Sequence, residues 1–524
     1  MDSKIILRQS SIIINNYELG DSFRLESFFT LWDDIRHQAY FKGIEYNEET
    51  KQLIIPRGVD VPMLENIFST FAKIDYNVDK YDIIEPNMAR FAPRDDIQKK
   101  TIAFCYGVKD YAYTKGKSQL SINLNTGKGK TYCSIMTMLL YKMRSMIIMN
   151  SESWINQWRD NILEYTDAKP DEIYIIQGSG SIQRLLNRDI SQYKYILATH
   201  ATLRSYGDKN SWDKITELFK YLKIGLKFYD EAHLNFDNIC KIDYYTNTYK
   251  TFYVTATPAR SDSDENTIYK YYFKNIPSID LFDEEVDPHT DYIAIKYNSK
   301  PTAIDIQNCR TRKGFSSNAY AGYVITRPNF FKLLTIIIEI ALKHRRKSVF
   351  YIATIDSIDY IAKYIEENYP ELRGDIGKFH SKLPVGQKDQ QLKKRLILST
   401  TKSLGPAVDI KGLKLVVVLA EPFKSEVTAR QSLGRTRDDN TTYIEIVDTG
   451  FRSIKEYYKY KKPVYKKYAK SYSEIDLDEI TLYNKANQIE NTRMNYICPA
   501  FIDDKYYHGC MITPAYIIPA KITI

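Results

Sequence analysis

The 524-residue sequence predicts an α/β protein with two tandem parallel-sheet domains, a small α+β N-terminal domain and a short C-terminal extension. From about residue 89, short apolar runs of strand length alternate with stretches whose apolar residues recur at helical spacing. This alternation is typical of parallel sheets, and it resumes after a polar, proline-containing stretch at about 275–325. Apolar residues make up 44% of the chain, which is enough for a core in each domain. The predicted domains are 1–88, 89–290, 291–455 and 456–524.

The N-terminal domain begins with short apolar runs and has aromatic residues at helical spacing. Its predicted strands are 5–7, 12–14 and 53–55, and its predicted helices are 23–40 and 62–71. We find no residue pattern in it that indicates catalysis.

The two larger domains follow the alternating pattern in order. Predicted strands of the first are 120–124, 145–149, 172–176, 195–198, 226–229 and 251–254. In the second, predicted strands at 349–352, 396–399 and 415–419 alternate with predicted helices at 330–344 and 357–369.

A glycine-rich turn, Asn125 to Thr131, joins the first of these strands to a helix. Gly127 and Gly129 let the backbone approach an oxyanion closely, and the helix N-terminus adds its positive end. Lys130 can reach the β- and γ-phosphates of a nucleotide, and the Thr131 hydroxyl can ligate magnesium. The alternative is an ordinary basic turn, but the strand before it and the helix after it favour a phosphate site.

A second chemical motif follows another apolar strand. Asp230-Glu231-Ala232-His233 places two adjacent carboxylates at the strand's C-terminal end, where ligands bind in open α/β sheets. Asp230 is suited to hold magnesium through water, and Glu231 to orient or deprotonate an attacking water.

Composition narrows the class of partner and the compartment. The 74 Lys and Arg residues exceed the 65 Asp and Glu residues by nine, which suits a polyanionic partner or an ordinary solvated surface.

None of the six cysteines forms a C-x-x-C pair, so we expect reduced thiols and a cytoplasmic protein, in a host cytoplasm if the source is viral. Cys498, His508 and Cys510 lack the fourth ligand of a zinc site. No signal peptide or membrane-spanning run is evident, so we expect a soluble protein without a membrane partner.

The C-terminal extension opens on a basic, tyrosine-rich segment. Between Lys455 and Lys470 there are seven lysines, five tyrosines and one acidic residue, Glu456. The lysines can neutralise phosphates and the tyrosines can stack on bases. The alternative is a solvated helix packed on the second domain.

Taken in order from Arg94 to Arg437, the motifs resemble those of superfamily 2 helicases of the DEAH type. Within that superfamily they are most similar to the phage UvsW-like branch-migration helicases. The resemblance implies two RecA-like motor domains that close around one ATP, with the small N-terminal domain binding substrate.

In the first domain, the resemblance assigns residues to nucleotide, strand and coupling roles. The residues implied to bind ATP are Arg94, Gln98, Thr126, Gly127, Lys128, Gly129, Lys130 and Thr131. Those implied to contact the nucleic acid are Ser151, Trp154 and Thr199. Those implied to couple hydrolysis to strand binding are His233, Thr255 and Thr257.

In the second domain, the resemblance covers motifs IV to VI. Thr354 and Thr400 are implied to contact the strand, and Gly405 and Asp409 to contact ATP. Motif VI contributes Gln431, Arg435 and Arg437, whose charge would meet the γ-phosphate in the transition state. The motif is one residue shorter than the common spacing, so either arginine is a candidate for the arginine finger.

The function implied is an ATP- and Mg²⁺-dependent DNA helicase or translocase of phage type, acting on single-stranded or branched DNA. We expect a monomer or a transient assembly with replication or recombination proteins. One alternative is an RNA helicase of the same superfamily, because these motifs contact the backbone. Others are a motor subunit of a restriction-type complex and a binding module with an inactive nucleotide site; intact Lys130, Asp230 and Glu231 argue against the last.

Overall fold

The structure is a computed structural model. It describes all residues except 1–2, 18, 34–37, 48–50, 60–63, 65, 69–70, 76–77, 125–126, 256–268, 270–271, 282–288, 312–313, 344–345, 402, 405–409, 434–440 and 503–524. The chain divides into two compact units, Met1–Val286 and Asp287–Ile524. Within the described part of the chain, no helix is both long and apolar enough to cross a bilayer.

The described residues among the first 75 include a five-stranded sheet, helix α1 and a separate hairpin. Its elements are β1 (Ser3–Leu7), β2 (Ser11–Asn15), α1 (Leu19–Phe29), β3 (Thr30–Asp33), β4 (Gln38–Lys42), β5 (Glu45–Asn47), β6 (Gln52–Pro56) and β7 (Phe71–Asp75). The sheet order is β5-β6-β2-β1-β7, and β7 joins β1 in parallel. The predicted helix over 23–40 is wrong beyond Phe29, because β-branched and aromatic residues, Thr30 and Trp32, begin the β3–β4 hairpin there.

The rest of the first unit is built around a seven-stranded parallel sheet, as predicted. Its elements are α2 (Asp96–Tyr106), β8 (Gln119–Asn123), α3 (Lys130–Tyr141), β9 (Ser145–Met149), α4 (Glu152–Tyr165), β10 (Ile173–Ile175), α5 (Ser179–Leu186), β11 (Tyr195–Thr199), α6 (His200–Asn210), α7 (Asp213–Leu222), β12 (Leu226–Asp230), α8 (Phe236–Tyr245), β13 (Lys250–Thr255) and β14 (Ser278–Asp280). The order is β10-β11-β9-β12-β13-β8-β14. Strands β8, β9, β11, β12 and β13 are buried along their whole length, as expected of a parallel sheet covered on both faces.

The N-terminal sheet packs directly on helix α8. Lys241 pairs with Glu45 at 2.7 Å, and the Tyr244 hydroxyl donates to the Gly43 carbonyl at 2.6 Å. The Ser10 hydroxyl donates to the Asp243 and Thr246 carbonyls at 3.1 and 2.8 Å. The N-terminal sheet is therefore fixed to the helix that follows the acidic motif.

The second unit repeats the architecture with another seven-stranded parallel sheet. Its elements are β15 (Thr290–Tyr297), α9 (Ala303–Asn308), β16 (Arg310–Thr311), β17 (Gly314–Phe315), α10 (Ser317–Val324), α11 (Pro328–Leu342), β18 (Lys347–Ile352), α12 (Ile355–Asn368), β19 (Ile376–Phe379), α13 (Val385–Lys393), β20 (Leu396–Ser399), β21 (Leu413–Ala420), α14 (Glu426–Leu433), β22 (Thr441–Asp448), α15 (Arg452–Tyr468), β23 (Ser471–Asp476) and α16 (Glu479–Ile502). The order is β19-β20-β18-β21-β22-β15-β23, so the predicted α/β fold with two parallel sheets is confirmed. The predicted domain bounds at 88, 290 and 455 remain predictions.

The start of the C-terminal extension belongs to this sheet. Strand β23 pairs in parallel with β15 at the sheet edge, and helix α15 packs against β22. On α15, Lys461 is fully buried and pairs with Glu445 of β22, whose other oxygen accepts from the Tyr292 hydroxyl at 2.7 Å. The Lys461 ammonium also lies 3.8 Å from the centroid of the Phe423 ring. The hypothesis that this lysine contacts nucleic-acid phosphates is therefore wrong: as in the packed-helix alternative, Lys461 faces the domain core.

We predict that Lys461→Met destabilises the second unit by about 3–5 kcal/mol, because it leaves the Glu445 carboxylate buried without its cation. Thermal unfolding followed by circular dichroism measures the effect. Lys459→Met is the control, since Lys459 is exposed on the same helix. Equal unfolding midpoints for the two variants would contradict the prediction.

Candidate active site

The candidate site lies where three neighbouring parallel strands end. Strand β13 lies between β8 and β12, so the carboxyl ends of all three meet at one edge of the sheet. The glycine-rich turn follows β8, Thr255 ends β13, and Asp230 ends β12. The sheet topology therefore brings together two motifs that are far apart in the sequence.

The turn after β8 has the backbone that a phosphate-binding loop needs. Gly127 and Gly129 both have a φ of +85°, in the left-handed region that favours glycine. Gly129 is the N-cap of α3, so the positive end of that helix faces the turn. Lys128 is half-buried between them, and Thr126 lies outside the described residues.

Arg94 and Gln98, which the resemblance implies to bind ATP, lie against this turn. The Arg94 guanidinium donates to the Gly127 carbonyl at 3.4 Å, and the Gln98 side-chain oxygen accepts from the Arg94 backbone N–H at 2.8 Å. A Cβ atom on Gly129 would lie 2.3 Å from Nε2 of Gln98. The structure thus places Arg94 and Gln98 against the glycine turn, as their predicted nucleotide-binding role requires.

Lys130 extends from the start of α3 to the acidic motif. Its Nζ lies 3.6 Å from Glu231 Oε1 and donates to the Leu124 carbonyl at 3.5 Å. Thr131 follows in the first turn of α3. The lysine and the carboxylate predicted to share one active site are therefore neighbours.

Asp230 is buried, and two donors hold its carboxylate. The Trp158 indole N–H donates to Oδ2 at 2.7 Å, and the Glu231 backbone N–H donates to Oδ1 at 3.0 Å. Burial, followed by the neighbouring Glu231 carboxylate, raises the pKa of Asp230 to about 6, and the Trp158 hydrogen bond opposes that shift. The Asp230 site therefore favours the approach of a cation.

Sequence reasoning missed the contact between Trp158 and Asp230. The available signal was a second tryptophan four residues after Trp154, which puts both side chains on one helix face. That spacing predicts an inward-facing pair but does not identify the group that the indole meets.

Glu231 has a strained backbone and one oxygen without a hydrogen bond. Its φ is +48°, and among the described residues Oε2 accepts no hydrogen bond although it is buried. The His233 Nδ1 atom lies 3.3 Å from that oxygen and 2.9 Å from the Thr255 hydroxyl. His233 thus connects Glu231 to the end of β13, as its predicted coupling role requires.

These residues fit a magnesium nucleotide. Two adjacent buried carboxylates lie beside one lysine, and one carboxylate oxygen has no hydrogen-bond donor among the described residues. Mg²⁺ prefers oxygen ligands and is commonly held by one or two carboxylates together with substrate phosphates. Asp230 and the Thr131 hydroxyl are the residues that could hold it, and the glycine turn with Lys130 could hold the phosphates.

Several of the residues predicted to contact the nucleic acid have structural partners. Thr199 caps α6 by accepting from the Thr202 N–H, and Thr354 caps α12 by accepting from the Ser357 N–H. The Thr400 hydroxyl accepts from the Ser403 N–H at 3.0 Å. Trp154 is only 4% exposed, a placement that argues against a direct contact between its side chain and a nucleic acid. Ser151 is half-buried directly before α4.

The remaining predicted residues fall largely outside the described part of the chain. Gln431 lies on α14, where only its backbone is described. The residues outside the description are Thr257, Gly405, Asp409, Arg435 and Arg437. Their roles remain predictions.

Sequence comparison supports the resemblance to helicases. Residues 86–260 match the family model described as type III restriction enzyme, res subunit. A Haloarcula marismortui protein named for the DNA 3'-5' helicase Rad25 is 28% identical over 143 residues. That match covers 27% of this chain, and the chain spans 20% of the relative's length. The predicted resemblance to superfamily 2 helicases is confirmed.

Structural similarity to Dbp5 supports the fold. Saccharomyces cerevisiae Dbp5, bound to RNA and ADP BeF3, is similar with a TM-score of 0.50 and 14% identity, covering 78% of this chain and 93% of Dbp5. T4 UvsW has a TM-score of 0.35 and 13% identity, covering 91% of this chain and 100% of UvsW. The likeness to Dbp5 extends across most of the chain and agrees with two RecA-like domains.

We predict that Gly129→Ala weakens nucleotide binding by about tenfold, because a Cβ in the left-handed region costs about 1–2 kcal/mol and would collide with Gln98. Titration with a fluorescent ATP analogue measures the affinity. Gly116→Ala is the control, since among the described residues no heavy atom lies within 4 Å of its Cβ position. Unchanged affinity in Gly129→Ala would show that this turn does not bind phosphate.

Proposed function

We propose that this chain is an ATP-hydrolysing DNA helicase or translocase. The observation that carries the proposal is the junction of the glycine turn with the acidic motif, where Lys130 lies 3.6 Å from Glu231. A lysine beside a phosphate-binding turn, next to two strand-end carboxylates, is chemistry suited to phosphoanhydride hydrolysis. The family match over 86–260 covers this same segment.

In this proposal, different residues of the first unit bind the phosphates, activate the attacking water and hold the metal ion. Backbone N–H groups of the turn and the start of α3 bind the phosphates of ATP, and Lys130 balances their charge. Glu231 orients the attacking water and accepts its proton. Asp230 and Thr131 would hold a bound Mg²⁺, which would supply positive charge against the phosphates. His233 lies between Glu231 and Thr255, so a change in the position of Glu231 during hydrolysis is transmitted to the end of β13.

DNA is the polynucleotide on which we propose that the enzyme acts. The Rad25-named relative is described as a DNA helicase, and the motif order resembles branch-migration helicases. The chain's formal charge of +9 suits a polyanion without distinguishing DNA from RNA. The phage origin and the transient assembly with replication or recombination proteins rest on the sequence-based resemblance, and the cytoplasmic location rests on the cysteine pattern.

A second candidate function is the motor subunit of a restriction-type complex. The matched family model is described as the res subunit of a type III restriction enzyme, so the family match favours this candidate as directly as it favours a free-standing helicase. A motor of that kind would hydrolyse ATP on duplex DNA without separating its strands.

We predict that Lys130→Ala and Glu231→Gln each lower polynucleotide-stimulated ATPase activity by about 100-fold or more. Glu231→Gln should still bind ATP, because the phosphate-binding turn and Lys130 are intact. Phosphate release and analogue binding are the two measurements. Glu217→Gln is the control, since this exposed glutamate pairs with Lys214 on the surface. Near wild-type turnover in either active-site variant would refute the assignment.

A panel of polynucleotides tests the substrate. We expect ATPase stimulation to be strongest with single-stranded or branched DNA, and a labelled fork to be unwound. Stimulation by duplex DNA without unwinding would favour the restriction-type motor. Stimulation by RNA alone would replace DNA with RNA as the track, and no stimulation by any polynucleotide would overturn the proposed function.

A further inference from the structure

Helix α4 connects the acidic motif to the segment that precedes the helix. It begins at Glu152, directly after Asn150 and Ser151, and Trp158 lies on its second turn. Trp158 is only 2% exposed, and its indole N–H donates to Asp230 Oδ2 at 2.7 Å. The first turn of the helix therefore lies beside Ser151, which is predicted to contact the nucleic acid. Its second turn carries Trp158, which hydrogen-bonds the predicted magnesium ligand Asp230.

A second contact joins the same two segments. The Asn235 side-chain amide donates to the Asn150 side-chain oxygen. Strands β9 and β12, which end at these segments, are neighbours in the sheet, with Ile148 beside Tyr229. The segment 150–158 thus meets the segment 230–235 at both of its ends.

The Trp158 hydrogen bond constrains the Asp230 carboxylate. An indole N–H is a donor only, and the buried ring of Trp158 holds that donor in a fixed direction. With Oδ2 held by Trp158 and Oδ1 by the Glu231 backbone N–H, the plane of the carboxylate is set from two sides. A displacement of α4 would move the first of these donors and turn the carboxylate.

We propose that Trp158 is a positioning residue that makes the orientation of Asp230 depend on helix α4, so that polynucleotide contact at Asn150 and Ser151 tightens metal binding at Asp230. The proposal rests on the proposed function, since it takes Asp230 as the magnesium ligand. Groups outside the direct ligand shell commonly change metal affinity or activity by about 10–100-fold when removed. Trp158 would act by orienting the carboxylate and would touch neither the metal nor the nucleotide.

The same unit offers a matched control. Trp212 is also buried, and its indole N–H donates at 2.9 Å to Oδ1 of Asp208, an exposed aspartate outside the motifs. Trp158→Phe and Trp212→Phe each remove an indole donor from an aspartate and reduce a buried ring by a similar volume. Only the first removes a donor from Asp230.

The experiment measures Mn²⁺ binding by electron paramagnetic resonance in the full chain with a non-hydrolysable ATP analogue, with and without a thymidine oligonucleotide. We expect the oligonucleotide to tighten Mn²⁺ binding in the wild type and in Trp212→Phe. In Trp158→Phe we expect Mn²⁺ binding about 10–100-fold weaker and no tightening by the oligonucleotide. ATPase stimulation, measured in parallel, should fall only in Trp158→Phe.

Two results would overturn the proposal. The first is that Trp158→Phe binds Mn²⁺ as tightly as Trp212→Phe does. The second is that Trp158→Phe binds Mn²⁺ more weakly, but the oligonucleotide still tightens that binding as much as in the wild type. If Trp158→Phe fails to fold, incorporation of β-(3-benzothienyl)alanine at position 158 replaces the N–H with sulfur and keeps the ring shape. Wild-type protein that binds Mn²⁺ and the analogue but hydrolyses no ATP would instead refute the proposed function, so the two failures are distinguishable.

Discussion

Two carboxylates buried side by side at the end of β12 are the constraint on which the candidate site depends. Asp230 and Glu231 bear like charges in a place from which water is largely excluded, and burial raises the pKa of Asp230. Such a pair persists only where cations and donors compensate it. The surroundings supply them: the Lys130 ammonium beside Glu231, the Trp158 indole on Asp230 and the His233 ring between Glu231 and Thr255. The protein groups offset the negative charge of the two carboxylates only in part, and a bound cation would offset the rest.

Elsewhere in both units, tyrosine hydroxyls donate hydrogen bonds to buried carboxylates. In the first unit, Asp243 accepts from the hydroxyls of Tyr229, Tyr253 and Tyr272 and pairs with the fully buried Lys227. In the second unit, a buried glutamate, Glu445, accepts from a tyrosine hydroxyl and pairs with a fully buried lysine. Part of the chain's content of 44 tyrosines therefore serves to hydrogen-bond buried acids while filling the core with aromatic rings.

Helix α8 gives the N-terminal sheet a direct connection to the candidate site. The helix starts at Phe236, shortly after the acidic motif, and its far half carries Asp243 and the contacts to Glu45, Gly43 and Ser10. Because these contacts include a hydrogen-bonded ion pair and buried backbone acceptors, the sheet and α8 are packed as one body. Any substrate bound by the N-terminal sheet would therefore keep a fixed position relative to the segment that carries Glu231.

The sequence by itself determined six of the seven strands described in the first parallel sheet, three of the seven described in the second (β18, β20 and β21) and the residues of the glycine turn. These features depend on local properties: the period of apolar side chains, and the left-handed backbone that Gly127 and Gly129 adopt at low cost. Only the tertiary structure decided that Trp158 meets Asp230, which lies 72 residues away, because sheet topology sets such contacts and no local pattern encodes them. It likewise decided that Lys461 is buried. A lysine in a basic run has the local pattern of a solvated residue, and the face that helix α15 turns towards β22 is what places this one against Glu445.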